Sequence, residues 1–210
     1  MLIVGAKGFA IELLEVFHQM NNTNDIVFFD DISNDLPSKI FNQFPVLKSL
    51  DEAKNYFKKT DNKFSLGLGG PKNRKIATDK LIAIDGVITS VISPTAVIGH
   101  YDNEIEVGST IMSNVIITNR IKIGKCCLIN LACTIGHETI IKDYVELCPA
   151  VNVSGNVTIG NSVFIGSNAT ILPNIKIGNN VVVAAGSVVT KDVPDNCMVA
   201  GVPAVIKKIF

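Results

Sequence analysis

The sequence contains no tryptophan, and aromatic residues make up only 6% of its 210 positions. A core of packed rings is therefore excluded, and aliphatic side chains must supply the apolar burial. No run of about 18 apolar residues occurs, so no segment is predicted to cross a membrane as a helix. Lys and Arg together number 19, and so do Asp and Glu. Without a basic excess there is no electrostatic footprint for nucleic acid or an anionic membrane surface. The five cysteines, Cys126, Cys127, Cys133, Cys148 and Cys197, form no C-x-x-C pair. That argues against a zinc site, and no metal is expected. The apolar start, Leu2-Ile3-Val4 before Gly5, is too short for a secretory leader. The expected compartment is the cytoplasm, where buried thiols stay reduced.

What is abundant is aliphatic, and it is periodic. Read in sixes from Ile105, the first positions are Ile105, Ile111, Ile117, Ile123, Ile129, Ile135, Ile141, Leu147, Val153, Ile159, Ile165, Ile171, Ile177, Val183 and Val189. The fifth positions are smaller on average, from Ser109 and Val115 through Cys127 and Cys133 to Val193. The intervening positions are mostly Gly, Asn, Lys, Asp, Ser and Thr. Neither a helix nor a single strand has period six, but a short strand followed by a turn does. A fixed short period signals a solenoid whose repeats bury one another. Parallel strands of an α/β sheet would need helices of about ten or more residues between them, for which residues 105–194 leave no room. The prediction is a parallel β-helix. One extra residue between positions 98 and 105 predicts a bulge at 100–104, and the segment 198–204 is expected to cap the far end.

The region before the repeats alternates apolar runs with helical periods. Leu2 to Val4 predicts a strand, Gly5-Ala6-Lys7-Gly8 a turn, residues 9–20 a helix and residues 26–29 a second strand ending in Asp30-Asp31. This is the opening of a Rossmann-like βαβ unit without the complete G-x-G-x-x-G spacing. The turn fits either a nucleotide, held by amides and a helix N-terminus, or a plain structural turn. Residues 37–46 read as a loop and 50–59 as a short helix. Residues 64–70 read as a strand entering Gly69-Gly70, 72–83 as a helix, and 86–92 as a last strand. The division is therefore a Rossmann-like domain over 1–92 and a β-helix domain over 93–210, with Ser93-Pro94-Thr95 as the hinge.

Among the three histidines, His18 falls in the first helix and His100 in the bulge. His137 falls at a turn of the repeat with Glu138 beside it. An imidazole with an adjacent carboxylate has the ingredients of a general base. A surface His-Glu turn has the same sequence, and the spacing does not decide between them.

The motifs occur in a specific order: Gly5-Ala6-Lys7-Gly8-Phe9-Ala10, Phe29-Asp30-Asp31, Leu66-Gly67-Leu68-Gly69, Ile92-Ser93-Pro94-Thr95-Ala96, Asn130, Gly136-His137-Glu138, Gly155-Asn156-Val157-Thr158-Ile159-Gly160 and Gly201-Val202-Pro203-Ala204. Over essentially the whole chain this resembles the bacterial hexapeptide-repeat sugar acetyltransferases, which include sialic-acid O-acetyltransferases and UDP-amino-sugar N-acetyltransferases. The resemblance implies a left-handed β-helix with three sides, acetyl-CoA as cosubstrate, a nucleotide-linked amino sugar as acceptor, a role in surface glycan synthesis, and a homotrimer with active sites between subunits. It implies His137 as base, Glu138 as its tuning carboxylate, the Gly155 amide facing the oxyanion and Asn130 orienting the sugar. Lys7, Gly8, Phe9, Asp30, Asp31 and Gly69 fall where the family holds the nucleotide-sugar. Ser167, Ala185 and Gly186 fall where it lays the pantetheine arm.

Three positions depart from that pattern. Ala6-Lys7-Gly8-Phe9 stands where the family often has Gly-Gly-His or Ser-Gly-His. Ser93 replaces a common histidine. Glu146 stands where many relatives carry a second histidine near the acetyl group, and by position it is grouped with the cofactor-binding residues. Alternative readings are an O-acetyltransferase of a sialic-acid-like sugar, a non-catalytic nucleotide-sugar-binding module, and a zinc carbonic anhydrase on the same solenoid. The last needs three converging histidines, and only His100 and His137 lie in or near the repeats.

Overall fold

The computed structural model describes residues 1–210. The first part of the chain forms β1 (Leu2–Val4), α1 (Gly8–Gln19), β2 (Val27–Phe29), β3 (Lys39–Ile40), β4 (Phe44–Leu47), α2 (Leu50–Lys59), β5 (Lys63–Leu66), α3 (Pro71–Ile82) and β6 (Val87–Ile88). These strands make one sheet in the order β3-β4-β2-β1-β5-β6, parallel except for the β3–β4 pair. β1 is flanked by β2 on one side and β5 on the other, so the winding reverses there. Ligands of open α/β sheets bind at such reversals, beyond the carboxyl ends of the strands. α2 starts where the sequence supplies a full capping box: Ser49 accepts the Glu52 amide while the Glu52 side chain accepts the Ser49 amide. α1 has no side-chain cap at Lys7.

Two local expectations are corrected. The stretch 37–46 contains an antiparallel pair, β3 with β4, rather than a loop. Ile40, Phe44 and Val46 are buried, and Pro45 within the run had disguised the strand. The single strand expected over 86–92 is two. Thr89 still donates its amide to Phe64, but the Val91 amide goes to Ser109. The chain thus changes sheets at Thr89-Ser90, and Val91–Ile92 is already the first strand of the solenoid, paired with Thr110–Ile111.

From there the chain climbs as a parallel β-helix of three faces. Strand partners lie eighteen residues apart, as in Ile111 with Ile129 and Ile129 with Leu147. Each coil donates its amides to carbonyls of the next, for example Thr110 to Cys127 at 2.8 Å. First positions from Ile111 to Val189 and fifth positions from Ser109 to Val193 are all buried. Ile105, at the open end, is partly buried against the same core. The extra residue near His100 is accommodated between Val97–Ile98 and Glu104–Ile105. A parallel strand, Cys197–Gly201, and its antiparallel return, Ala204–Ile209, close the far end.

Turning a corner every six residues needs a left-handed residue, and every fourth position from Gly108 to Gly186 has positive φ. Asn and Gly meet that requirement at small cost. Arg120, Cys126, Ala132, Glu138, Tyr144 and Ala150 also adopt it, at roughly 1–2 kcal/mol each. These costly residues are consecutive, and Glu138 is among them.

Burial of the stripe predicts the effect of breaking it. Ile159 is fully buried in the solenoid core. Ile159→Asp is expected to destabilise the protein by more than about 3 kcal/mol, through lost apolar burial and an unpaired buried carboxylate. An unchanged denaturation midpoint would show the side chain is not inside.

The α/β part packs on the first face of the β-helix. Ile3, Leu13 and Phe17 share a core with Val91, Met112 and Leu128. Arg74, from α3, is fully buried between the two parts. Its guanidinium donates to the carbonyls of Leu66 and Leu68 on one side, and of Gly108, Cys126 and Cys127 on the other. Burial pulls its pKa down to about 10, which leaves it charged at neutral pH.

Candidate active site

Beyond the carboxyl ends of β1 and β2 lies a cavity of about 320 Å³. Val4 and Gly5 line it from β1, Phe29 to Ser33 from the end of β2, Leu68 from beyond β5, and Asn73, Ile76, Ala77 and Lys80 from α3. Asp30 organises its floor. One carboxylate oxygen accepts the Ala6 amide at 3.3 Å, and the other accepts the Ile32 and Ser33 amides at 3.1 and 2.9 Å. Burial alone would raise its pKa, but these amides outweigh that and hold the carboxyl below its ordinary range. Asp31 is ion-paired with Lys80 across the cavity mouth. Lys7 and Gly8, at the uncapped start of α1, are exposed, and Phe9 is half-buried. A side chain at Gly8 would meet nothing within 4 Å, so the bareness of that turn is not imposed by the protein's own packing.

His137 occupies the corner between the second and third faces, after Thr134–Ile135 and before Ile140–Ile141. Its carbonyl accepts the Asn156 amide of the next coil at 2.7 Å, which fixes the corner. The side chain is 69% exposed, with Nδ1 3.3 Å from a Glu138 oxygen. The other Glu138 oxygen is 3.2 Å from Arg120, one coil below. The hydrogen bond from His137 and then that from Arg120 lower the Glu138 pKa. The imidazole lies over Gly155, one coil above: a Cβ at 155 would sit 2.5 Å from His137 Nε2. Only glycine leaves room for the ring there, and the Gly155 amide has no partner within the chain. The arrangement therefore has an imidazole held by a carboxylate at Nδ1, with Nε2 directed beside a free amide. It can remove a proton from a nucleophile and donate a hydrogen bond to a developing oxyanion a short distance away.

Glu138 pays for its position with left-handed backbone, φ 59°. Glu138→Asn is therefore expected to leave the melting temperature equal or higher while slowing turnover, since exposed ion pairs contribute little stability. A large loss of stability would contradict this.

The other expected residues lie on a different corner, between the first and second faces. Asn130 follows Leu128–Ile129, is buried, and accepts the Leu131 amide at 2.7 Å. Ser167 and Gly186 follow the strands Phe164–Ile165 and Val182–Val183 of the same face, and the Gly186 amide donates to the Ser167 carbonyl at 2.8 Å. Ala185 stacks over Gly166. Small residues leave the backbone of this corner bare, a surface on which an extended arm can lie. Within one chain the two corners do not meet. Gly69 and Glu146 form a third location, where the Glu146 carboxylate accepts the Gly70 amide. Sequence reasoning missed Arg120 and Arg74. Arg120 stands eighteen positions before Glu138, and that offset was its available signal.

Comparison with known proteins finds relatives that share this fold. Residues 1–81 match the PglD N-terminal domain family, and residues 156–191 match the bacterial transferase hexapeptide (six repeats) family. A histidine variant of perosamine N-acetyltransferase from Caulobacter crescentus, solved with CoA and GDP-perosamine, superposes with TM-score 0.90 at 25% identity, covering 99% of this chain and 96% of that one. The acetyltransferase domain of PglB from Neisseria gonorrhoeae FA1090, solved with acetyl coenzyme A, gives 0.88 at 25% identity, covering 98% and 97%. WeeI from Acinetobacter baumannii AYE gives 0.88 at 30% identity, covering 98% of each chain. Against the curated YvoF protein of Bacillus subtilis (strain 168), 40% identical over 94 residues, the chain spans about half of that protein's length, 50%. With both family matches in order along one chain and a relative 30% identical over nearly its full length, the chain belongs to the hexapeptide-repeat sugar acetyltransferases that carry a PglD-type N-terminal domain.

Proposed function

We propose that the protein is an acetyl-CoA-dependent N-acetyltransferase that acylates the amine of a nucleotide-linked amino sugar, with His137 as general base. The observation that carries this reading is the His137 imidazole, held by Glu138 at Nδ1 and stacked on Gly155 with Nε2 free. Acetyl-CoA supplies the activated acyl group. His137 Nε2 takes the proton that the amine sheds as its nitrogen bonds to the acyl carbon, and returns it to the departing thiolate. The Gly155 N–H donates to the carbonyl oxygen while it bears negative charge, a placement worth roughly 10²–10³ in rate. Glu138 fixes the ring's orientation and stabilises its protonated form, and Arg120 holds Glu138 in place.

The nucleotide would occupy the 320 Å³ cavity at the sheet's reversal, lined by Gly5, Asp30 and Asp31, and Lys7, Gly8 and Phe9 follow Gly5 at the start of α1. A homotrimer supplies the rest. The Asn130, Ser167, Ala185 and Gly186 corner of one chain and the His137 corner of its neighbour then share one groove, which explains why the two are separate within a chain. No helix is long and apolar enough to cross a membrane, and the five free thiols suit a reducing cytoplasm, where nucleotide-sugars for surface glycans would be acetylated.

Thermal-shift titration with UDP-, GDP-, dTDP- and CMP-sugars tests the acceptor site, because a ligand that binds only the folded state raises the melting temperature. Asp30→Ala unties the glycine turn from the β2 end. It is expected to weaken the stabilising nucleotide-sugar by about tenfold, with acetyl-CoA affinity unchanged. Loss of both ligands, or of neither, would contradict a separate acceptor site.

A further inference from the structure

Glu146 takes no part in the chemistry described above, yet its surroundings are built with care. It projects outward from the strand Glu146–Leu147 on the first face of the β-helix, and only 6% of it is exposed. It is covered by the loop between β5 and α3. One carboxylate oxygen accepts the Gly70 amide, from a residue 76 positions earlier in the chain. The other lies where a side chain on Gly69 would press, 3.0 Å from a Cβ built there. Gly70 is the N-cap of α3, Pro71 opens the helix, and no side chain of the helix's own segment caps it. The β-helix thus supplies across the domain junction what a capping residue ordinarily supplies locally. It provides an acceptor for a terminal amide and a negative charge at the positive end of the helix dipole.

The capped helix is one wall of the cavity, to which Asn73, Ile76, Ala77 and Lys80 all belong. A displacement of its first turn moves that wall against Gly5, Phe29 and Asp30 on the other side. We infer that Glu146 is a positioning residue for the nucleotide-sugar site, a strut from the β-helix that sets the α3 wall, and not a contact for acetyl-CoA. This rests on reading the cavity as the nucleotide site. Its consequence is selective: breaking the strut harms acceptor binding and leaves the donor alone, the opposite of what a residue beside the acetyl group would do.

Calorimetric titration separates these outcomes. UDP, GDP, dTDP and CMP are titrated into the wild-type protein, and the tightest serves as probe, with acetyl-CoA titrated in parallel. Glu146→Ala is expected to raise the probe's Kd about tenfold and to leave acetyl-CoA within about twofold. Glu146→Gln, whose amide oxygen still accepts the Gly70 N–H, should recover most of the loss. Glu146→Asp, one methylene shorter and drawn back from the Gly70 amide, should reproduce the Glu146→Ala pattern if the latter fails to fold. A general loss of stability would not single out one ligand. An unchanged probe Kd in Glu146→Ala or Glu146→Asp, or a loss confined to acetyl-CoA, overturns the strut while leaving the cavity reading intact. A wild-type protein that binds none of the four nucleotides overturns the cavity reading, and the strut falls with it.

Discussion

His137→Ala should lower kcat by about 10²–10⁴, the usual cost of removing a general base, or roughly 3–5.5 kcal/mol of barrier. The reason lies in the chemistry of the amine. As its nitrogen attacks a thioester it acquires positive charge, and it must lose a proton before the intermediate can collapse forward rather than expel the amine. In this structure only His137 combines an exposed ring nitrogen, a carboxylate at its other nitrogen and an unpartnered amide beside it. Acetyl-CoA affinity should change little, because the imidazole acts on the attacking group. The defect should shrink as pH rises past the amine's own pKa, where the amine enters already deprotonated. Near-normal kcat in His137→Ala at neutral pH would return the pair to a surface turn. Single-turnover measurement of thiol release across pH reads both effects.

Arg74→Met should destabilise the protein by about 5 kcal/mol, for a different reason. Desolvating the guanidinium costs free energy, so its removal gives some back. The Cys127 carbonyl keeps the Thr110 amide, but those of Leu66, Leu68, Gly108 and Cys126 lose the arginine donor together, at roughly 1–3 kcal/mol for each left unsatisfied and with incomplete additivity. The unsatisfied acceptors win. Arg74→Lys should recover less than half, since an ammonium has three donors and no planar fork to span carbonyls from two parts of the chain. Chemical denaturation gives the magnitude, and a loss below about 1 kcal/mol would show that the junction rests on apolar packing alone.

These two residues mark what a sequence can and cannot disclose here. The β-helix was legible because its determinants are local. Ile111, Ile117 and Ile123 recur at six because strand and turn together take six residues, and the buried stripe follows the same register. His137 and Glu138 were legible as neighbours in the chain. Arg120 was not, because its contact with Glu138 exists only once a coil is known to take eighteen residues. Arg74 has the look of a solvated helix residue. Its burial follows from docking α3 against the first face of the β-helix, a relation with no fixed spacing. Glu146 makes a contact with a residue 76 positions away, which no spacing discloses. Family position grouped it with the acetyl-CoA contacts, whereas here its carboxylate is engaged by the Gly70 amide. One signal was overlooked. The run of Arg120, Cys126, Ala132, Glu138, Tyr144 and Ala150 at positions that favour Asn or Gly brackets His137 and marks where backbone strain is tolerated, as functional sites often do.

The central claim is transfer of acetyl from acetyl-CoA to the amine of a nucleotide-linked sugar. The most direct measurement follows free CoA thiol while the purified protein is given acetyl-CoA and one nucleotide amino sugar at a time, with the product examined for its linkage. The expected result is thiol release that requires one class of nucleotide amino sugar, matches it in amount, yields an amide stable to hydroxylamine, and falls by about 10²–10⁴ in His137→Ala. Release with a hydroxyl acceptor, giving a hydroxylamine-labile ester, would contradict N-acetylation. Release with no acceptor at all, or none with any nucleotide amino sugar, would contradict the transferase reading itself.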